Sequence, residues 1–145
     1  MRALIQRVRW ATVEVGGEEV GRIGPGMLVF IGVERGDDAA RAEAMAARLL
    51  AYRVFADAAG RMNLDVRAAG GGVLLVSQFT LAADTARGLR PGFSTAADPA
   101  AAEALYDRVL AALRQRHAPV ACGMFGASMQ VSLCNDGPVT FLLQN

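Results

Sequence analysis

The chain has no lysine, a single histidine and only two cysteines among 145 residues. One histidine and two cysteines without CxxC spacing cannot assemble a Cys/His zinc site, and Cys122 and Cys134 read as reduced structural thiols. The acids are scattered, and Asp37-Asp38 suits a helix start better than a ligand pair, so no metal and no other cofactor is expected. Strong charge is also missing. The formal net charge is +1 and the pI about 7.8, without the basic footprint of a non-specific nucleic-acid binder, so DNA is not an expected partner and any RNA must be gripped locally. No apolar run approaches the roughly 20 residues of a membrane span, and the start Met1-Arg2-Ala3-Leu4-Ile5 lacks a signal peptide's small-residue cleavage site. A cytoplasmic protein with no membrane partner is expected.

What is present is ample core material: 53% apolar residues and a mean hydropathy of +0.28, in a length that fits one domain. All fifteen basic residues are arginine, which either favours phosphate recognition or reflects a genome's composition. Residues 4–8 and 12–15 alternate as strands before a Gly16-Gly17 turn. Met27 to Val33 is a continuous apolar run, short enough for a strand buried on both faces. Asp37-Asp38 caps a helix carrying Ala42, Met45, Ala46, Leu49, Leu50 and Arg53 at spacings of three and four. Asp98-Pro99 opens a second helix, with Leu105, Val109, Leu110 and Leu113 on its buried face, and His117-Ala118-Pro119 ends it. Strand character returns at 73–76, 129–134 and 139–143, and Asn135-Asp136-Gly137-Pro138 reads as a turn between the last two. The stretch from Leu81 to Asp98 has no period and reads as a long surface loop, a frequent place for function.

Two segments are candidates for chemistry. Ser77-Gln78-Phe79-Thr80 ends a strand, where hydroxyls and freed backbone N–H groups can meet a ligand; the alternative is ordinary strand-end hydrogen bonding. Asn135 to Pro138 can hold a cis bond and aim its carbonyls outward, although most X–Pro bonds are trans and a plain hairpin turn would use the same residues. His117, at a helix end, suits a dipole partner better than a triad base. Without a base, Thr80 or Ser77 is poorly equipped as a nucleophile. Trp10 reads as interface or core packing, the methionines as gap fillers, and Asp136 as bonded within its turn. Arg87 and Arg90 are either phosphate contacts or solvated loop arginines.

Ser77-Gln78-Phe79-Thr80-Leu81 and Asn135-Asp136-Gly137-Pro138-Val139-Thr140 together resemble the two signature motifs of the D-aminoacyl-tRNA deacylase family. The flanks agree in order: Ala3 to Val8, Tyr52-Arg53-Val54-Phe55, Met62-Asn63-Leu64, Arg90-Pro91-Gly92-Phe93-Ser94 and Met129 to Leu133. The resemblance implies one α/β domain over residues 1–145, with mixed or antiparallel sheets curled into a barrel-like core and two main helices outside. It implies hydrolysis of D-aminoacyl-tRNA to free D-amino acid and tRNA, a chiral proofreading step, by a homodimer. Ser77, Gln78, Phe79 and Thr80 would form the reaction site. Gly137 and Pro138, joined by a cis bond, would reach in from the partner subunit, supported by Arg7 and Asn135. Phe125 and Met129 would help to form the pocket for the terminal adenosine. Two fixed carbonyls beside the α-carbon would exclude an L side chain by clash and admit D residues, and glycine would leak through. The readings to be weighed against this are a general small-ester hydrolase using Ser77 or Thr80, and a non-catalytic RNA-binding module.

Overall fold

The computed structural model describes residues 1–86 and 88–145, so Arg87 lies outside the described residues. Strand β1 (Arg2–Val15) turns at Gly16-Gly17 into β2 (Glu18–Ile23) and then β3 (Gly26–Gly32). Helix α1 (Ala39–Ala51) follows, then the short hairpin β4 (Phe55–Ala56) and β5 (Met62–Leu64), and β6 (Gly72–Ser77). Helix α2 (Pro99–Arg116), β7 (Val120–Cys122) and β8 (Gln130–Gln144) complete the chain. The main sheet runs β2-β1-β3-β6-β7, with β8 on the other side of β1. β1 pairs antiparallel with β2, β3 and β8, whereas β3-β6 and β6-β7 are parallel, as crossovers through helices require. Since β2 also contacts β6 and β7, the sheet is nearly closed into a barrel, with both helices outside it.

Both helices begin where their sequences place a cap. Asp38 Oδ1 accepts from the Arg41 N–H at 2.8 Å, and Asp98 Oδ1 accepts from that of Ala101 at 3.1 Å with Pro99 in the first turn. α1 buries Ala42, Met45, Ala46, Leu49 and Leu50 as expected but ends at Ala51, so Arg53 lies beyond it. α2 buries Val109, Leu110 and Leu113 as expected, adds Tyr106 and Ala112, and leaves Leu105 only partly covered.

Strand alternation divides the core in two. Ile5, Met27, Val29, Ile31, Val73 and Leu75 face the helices and meet Met45, Leu49, Val109 and Leu113. Val8, Leu28, Leu74 and Val76 point the other way and fill the barrel with Ala11, Val13 and Ile23. This explains the unbroken apolar run at 27–33: it is a central strand with a packed layer on each side.

The sequence-based hairpin at Asn135 to Pro138 is not what forms. β8 is one strand, and both its halves run antiparallel to β1: Cys134 pairs with Trp10, Asn135 with Val8 and Thr140 with Gln6. Residues 136–139 therefore leave the ladder as a wide bulge opposite Arg7 and return to the same partner. Turn-forming residues signal a local reversal equally for a bulge and for a hairpin. Only the long-range pairing distinguishes them. Trp10 is 42% exposed, which removes core packing from its two readings. The described residues between Ala82 and Asp98 form a surface loop as expected, entered from a 3₁₀ turn (Phe79–Ala82) and tied down by the bridges Asp84–Gly92 and Glu34–Ala96. No described helix is long and apolar enough to cross a membrane.

Because the two layers share strands, a cavity in either should propagate. Leu28→Ala in the barrel and Leu49→Ala under the helices are each expected to cost about 2–5 kcal/mol. Urea unfolding checks this, and a midpoint unchanged from wild type in either variant would contradict the two-layer core.

Candidate active site

β6 ends at Ser77, and the chain turns immediately. The Gln78 N–H donates to Ile31 O at 2.8 Å as the last rung on β3, and Phe79 to Ala82 then wind into the 3₁₀ turn. The turn can settle against β3 because position 32 is glycine: a Cβ there would lie 2.9 Å from Gln78 O and 2.9 Å from Leu81 Cβ. Gln78 Nε2 donates to Thr80 Oγ1 at 2.6 Å, which holds the two side chains together. The N–H groups of Phe79 and Thr80 open the turn and have no acceptor among the described residues, as the first donors of a helical turn do not. The Thr80 side chain is exposed, and that of Ser77 half-buried.

Beside this turn lies a cleft of about 460 Å³, within the usual range for a small-molecule site. Ser77, Gln78 and Phe79 line it together with Phe125, Met129 and Val131 and with Ile31, Val76 and Tyr106. The structure thus brings the first candidate segment together with Phe125 and Met129. Thr80 sits at the rim rather than in the lining. Tyr106 is one of the lining residues that sequence reasoning missed. Its spacing from Val109 and Leu113 on α2 was the available signal. Its hydroxyl donates to Leu75 O at 3.0 Å, and its ring packs on Phe125 with centroids 5.6 Å apart. Burial pushes the Tyr106 phenol well above its ordinary range, so it stays neutral.

No carboxylate, arginine, histidine or cysteine is among the described residues lining the cleft. His117 lies instead at the C-cap of α2, its Nε2 2.8 Å from Gly71 O. Among the described residues, no three His, Cys, Asp or Glu side chains cluster as a metal site would need. What the cleft offers a reacting carbonyl is therefore backbone N–H groups, two hydroxyls and an amide, in apolar surroundings where such dipoles act strongly.

The second segment is built separately. The Gly137–Pro138 bond is cis. Arg7 crosses beneath the bulge and ties it to the exit of α1: Nε donates to Asp136 O at 2.8 Å and Nη1 to Val54 O at 2.7 Å. Asn135, not Asp136, closes the loop on itself. Its Oδ1 accepts from the Val139 N–H at 2.7 Å, and its Nδ2 donates to Thr140 Oγ1 at 3.1 Å. The Asp136 carboxylate lies between two arginines, with Oδ1 3.3 Å from Arg9 Nε and Oδ2 3.7 Å from Arg7 Nε. Gly137 has φ +152°, and a Cβ on it would lie 2.7 Å from Val139 Cγ2 and 3.3 Å from Arg7 Nη2. Both Gly137 and Pro138 are exposed.

Within one chain the two segments do not meet. Ser77 pairs with Ile31, Ile31 with Ala3 and Ala3 with Leu143, so three strand spacings, about 14 Å, separate β6 from β8. Arg7, under the bulge, lies a further four residues along β1, about 13 Å. Neither Gly137 nor Pro138 lines the cleft. Arg90 is exposed on the surface loop.

The family model described as D-Tyr-tRNA(Tyr) deacylase matches residues 4–144. The chain is 63% identical to a D-aminoacyl-tRNA deacylase of Stutzerimonas stutzeri over 145 residues, covering 100% of both. It is 62% identical to one of Azotobacter vinelandii over 144 residues, covering 99% of each. Among solved structures it is similar to a c-Myc DNA unwinding element binding protein, with TM-score 0.95, 39% identity and coverage of 100% of this chain and 99% of that one. A probable eukaryotic D-amino acid tRNA deacylase shares the fold, with TM-score 0.83 at 18% identity, covering 98% of this chain and 97% of that one.

Two outcomes follow from this geometry. Lysine cannot span both carbonyls held by Arg7, so Arg7→Lys is expected to destabilise the fold by about 1–3 kcal/mol. It should also speed amide exchange at Val139 more than at Leu74. Equal protection at Val139 in both proteins would show that the bulge stands without its arginine.

Proposed function

The chain belongs to the D-aminoacyl-tRNA deacylase family of ester hydrolases, and on that premise we propose that it cleaves the ester of D-aminoacyl-tRNA, releasing D-amino acid and tRNA. The whole of residues 1–145 forms the deacylase domain. The observation that carries the mechanism is a cleft ending on the Phe79 and Thr80 N–H groups, which have no acceptor among the described residues, with no ionised side chain among the described residues of its lining. Such a site works by position. The terminal adenosine of the tRNA occupies the wall of Phe125 and Met129, which leaves its ribose beside Ser77 and Gln78 and the ester carbonyl at the turn.

Water attacks the ester carbon, and the carbonyl oxygen becomes a tetrahedral oxyanion facing the N–H groups of Phe79 and Thr80. Each such donor is typically worth about 2.7–4 kcal/mol. The intermediate collapses by breaking the bond to the ribose oxygen, which takes up a proton, while the attacking water loses one. The vicinal ribose 2′-hydroxyl assists this proton traffic, in keeping with the lack of a histidine or carboxylate in the lining. Ser77, Gln78 and Thr80 orient the substrate, the last two held together by their mutual hydrogen bond.

Chirality is read by the second segment. Since the two segments lie three strands apart in one chain, they act together only between subunits, and we assign the active form as a homodimer. β8 supports this: it is bonded to β1 on one edge only, and it exposes Phe141 and Leu142, an arrangement that monomers usually protect. The carbonyls around Gly137 and Pro138 of one protomer then stand against the α-carbon bound in the other, clash with an L side chain and leave a D side chain free. Glycine, with no side chain, passes, and glycyl-tRNA mischarged on tRNA-Ala becomes a second substrate. This is chiral proofreading in the cytoplasm, and it asks nothing of a cofactor. A DNA-binding role of the kind one relative's name carries finds no support in a net charge of +1.

Three measurements test the reading. Purified protein should hydrolyse D-Tyr-tRNA at least a hundredfold faster than L-Tyr-tRNA, and equal rates would end it. Thr80→Ala should slow turnover without abolishing it, whereas His117→Gln should leave it within about twofold; a dead His117→Gln enzyme would restore the triad. Light scattering should give twice the 15.2 kDa chain mass. A fully active monomer would remove the cross-subunit reader.

A further inference from the structure

Phe79 has two neighbourhoods. One borders the cleft; on the other its ring packs against Phe93 with centroids 5.0 Å apart at a tilt of 47°. Both rings remain open to solvent, Phe79 at 62% and Phe93 at 41%. Two aromatic rings left together in water at a cleft mouth form an apolar surface without an internal partner.

The Phe93 backbone is held on both sides. Asp84 and Gly92 exchange backbone hydrogen bonds of 2.8 and 2.9 Å just before it. Just after it, the Ala96 N–H donates to Phe93 O at 3.1 Å, the Arg35 N–H to Thr95 O at 2.8 Å and the Ala97 N–H to Val33 O at 3.1 Å. Thr95 Oγ1 also donates to Ala82 O, tying this segment to the 3₁₀ turn that carries Phe79. The ring is thus presented from a fixed frame, which lowers the ordering cost of anything that stacks on it.

We propose that the Phe79–Phe93 pair is a stacking platform for the nucleobase preceding the terminal adenosine of the substrate RNA. This rests on the deacylase reading above and extends it by one nucleotide. With adenine against Phe125 and Met129 and the ester at the turn, the ribose 5′-oxygen leads out of the cleft past Phe79, and the next base emerges beside the exposed rings. A tRNA ends in unpaired C-C-A, and proteins grip single-stranded ends by stacking bases on aromatic side chains, a contact that needs no charge. The platform answers how a chain of net charge +1 holds an RNA end.

The test compares three D-tyrosyl esters, those of tRNA, of the dinucleotide cytidylyl-adenosine and of adenosine alone, on wild type, Phe93→Leu and Phe93→Tyr. Leucine keeps the apolar bulk without the ring face; tyrosine keeps the ring. Wild type should prefer the dinucleotide to adenosine. Phe93→Leu should lose about tenfold in kcat/KM on tRNA and dinucleotide while staying within about twofold on adenosine, and Phe93→Tyr should restore both. Equal loss on all three esters would make Phe93 a mere prop for the turn, and no loss on any would leave the rings without this role. A shift of Phe93→Leu to monomer by light scattering would assign the rings to the subunit interface; each of these results overturns the proposal. Failure of the parent reading is distinct: wild type would then cleave none of the D esters.

Discussion

Everything in this molecule is registered against β1, whose backbone is bonded along both edges. Its first half sits between β3 and β8, and its second half between β2 and β8. A slip of one residue on the β3 edge would exchange that strand's barrel-facing and helix-facing side chains, so this register is fixed by burial on two sides. Through β3 that register places the end of β6 and the turn after it. The pairing with β8 places the bulge over Arg7. The distance between the two segments is therefore set by strand pairing rather than by any contact between them.

Much of this was legible from local pattern. The helices announced themselves through Asp38, Asp98 and Pro99, since capping uses residues adjacent in sequence. The doubly buried strand at 27–33 showed as a run without polar interruption. What could not be read was pairing at long range. Asn135 to Pro138 carries the composition of a reversal, yet the strand beyond it returns to β1, because the constraint lies in Val8 and Gln6, more than a hundred residues away. The loop's internal bonds fall to Asn135 and not to Asp136, whose carboxylate is taken up by Arg9 and Arg7 of the paired strand. Tyr106 was hidden differently: its place on the buried stripe of α2 says core, and only the sheet above it shows that its ring also lines a cleft.

The likeness in sequence that suggested the family rested on two short motifs with flanks agreeing in order along the chain, and the family comparison extends over residues 4–144. The physical content of those segments differs. The first is a backbone device: its side chains carry no charge, and the N–H groups of Phe79 and Thr80, without an acceptor among the described residues, come from the way a strand passes into a tight turn. The second is a protrusion whose shape is enforced from below by one arginine bonded to two carbonyls. Among the described residues the cleft lining holds Ser77 but no histidine or carboxylate to activate it.

Gly32 shows how far such a device depends on what lies outside it. It contributes no atom to the cleft lining, yet the hydrogen in place of its side chain is what lets the next layer of backbone come down onto β3. The depth of the cavity is in effect set from behind its wall. Anyone wishing to reshape this catalyst for bulkier esters would do better to adjust the strand underneath than the residues the substrate touches.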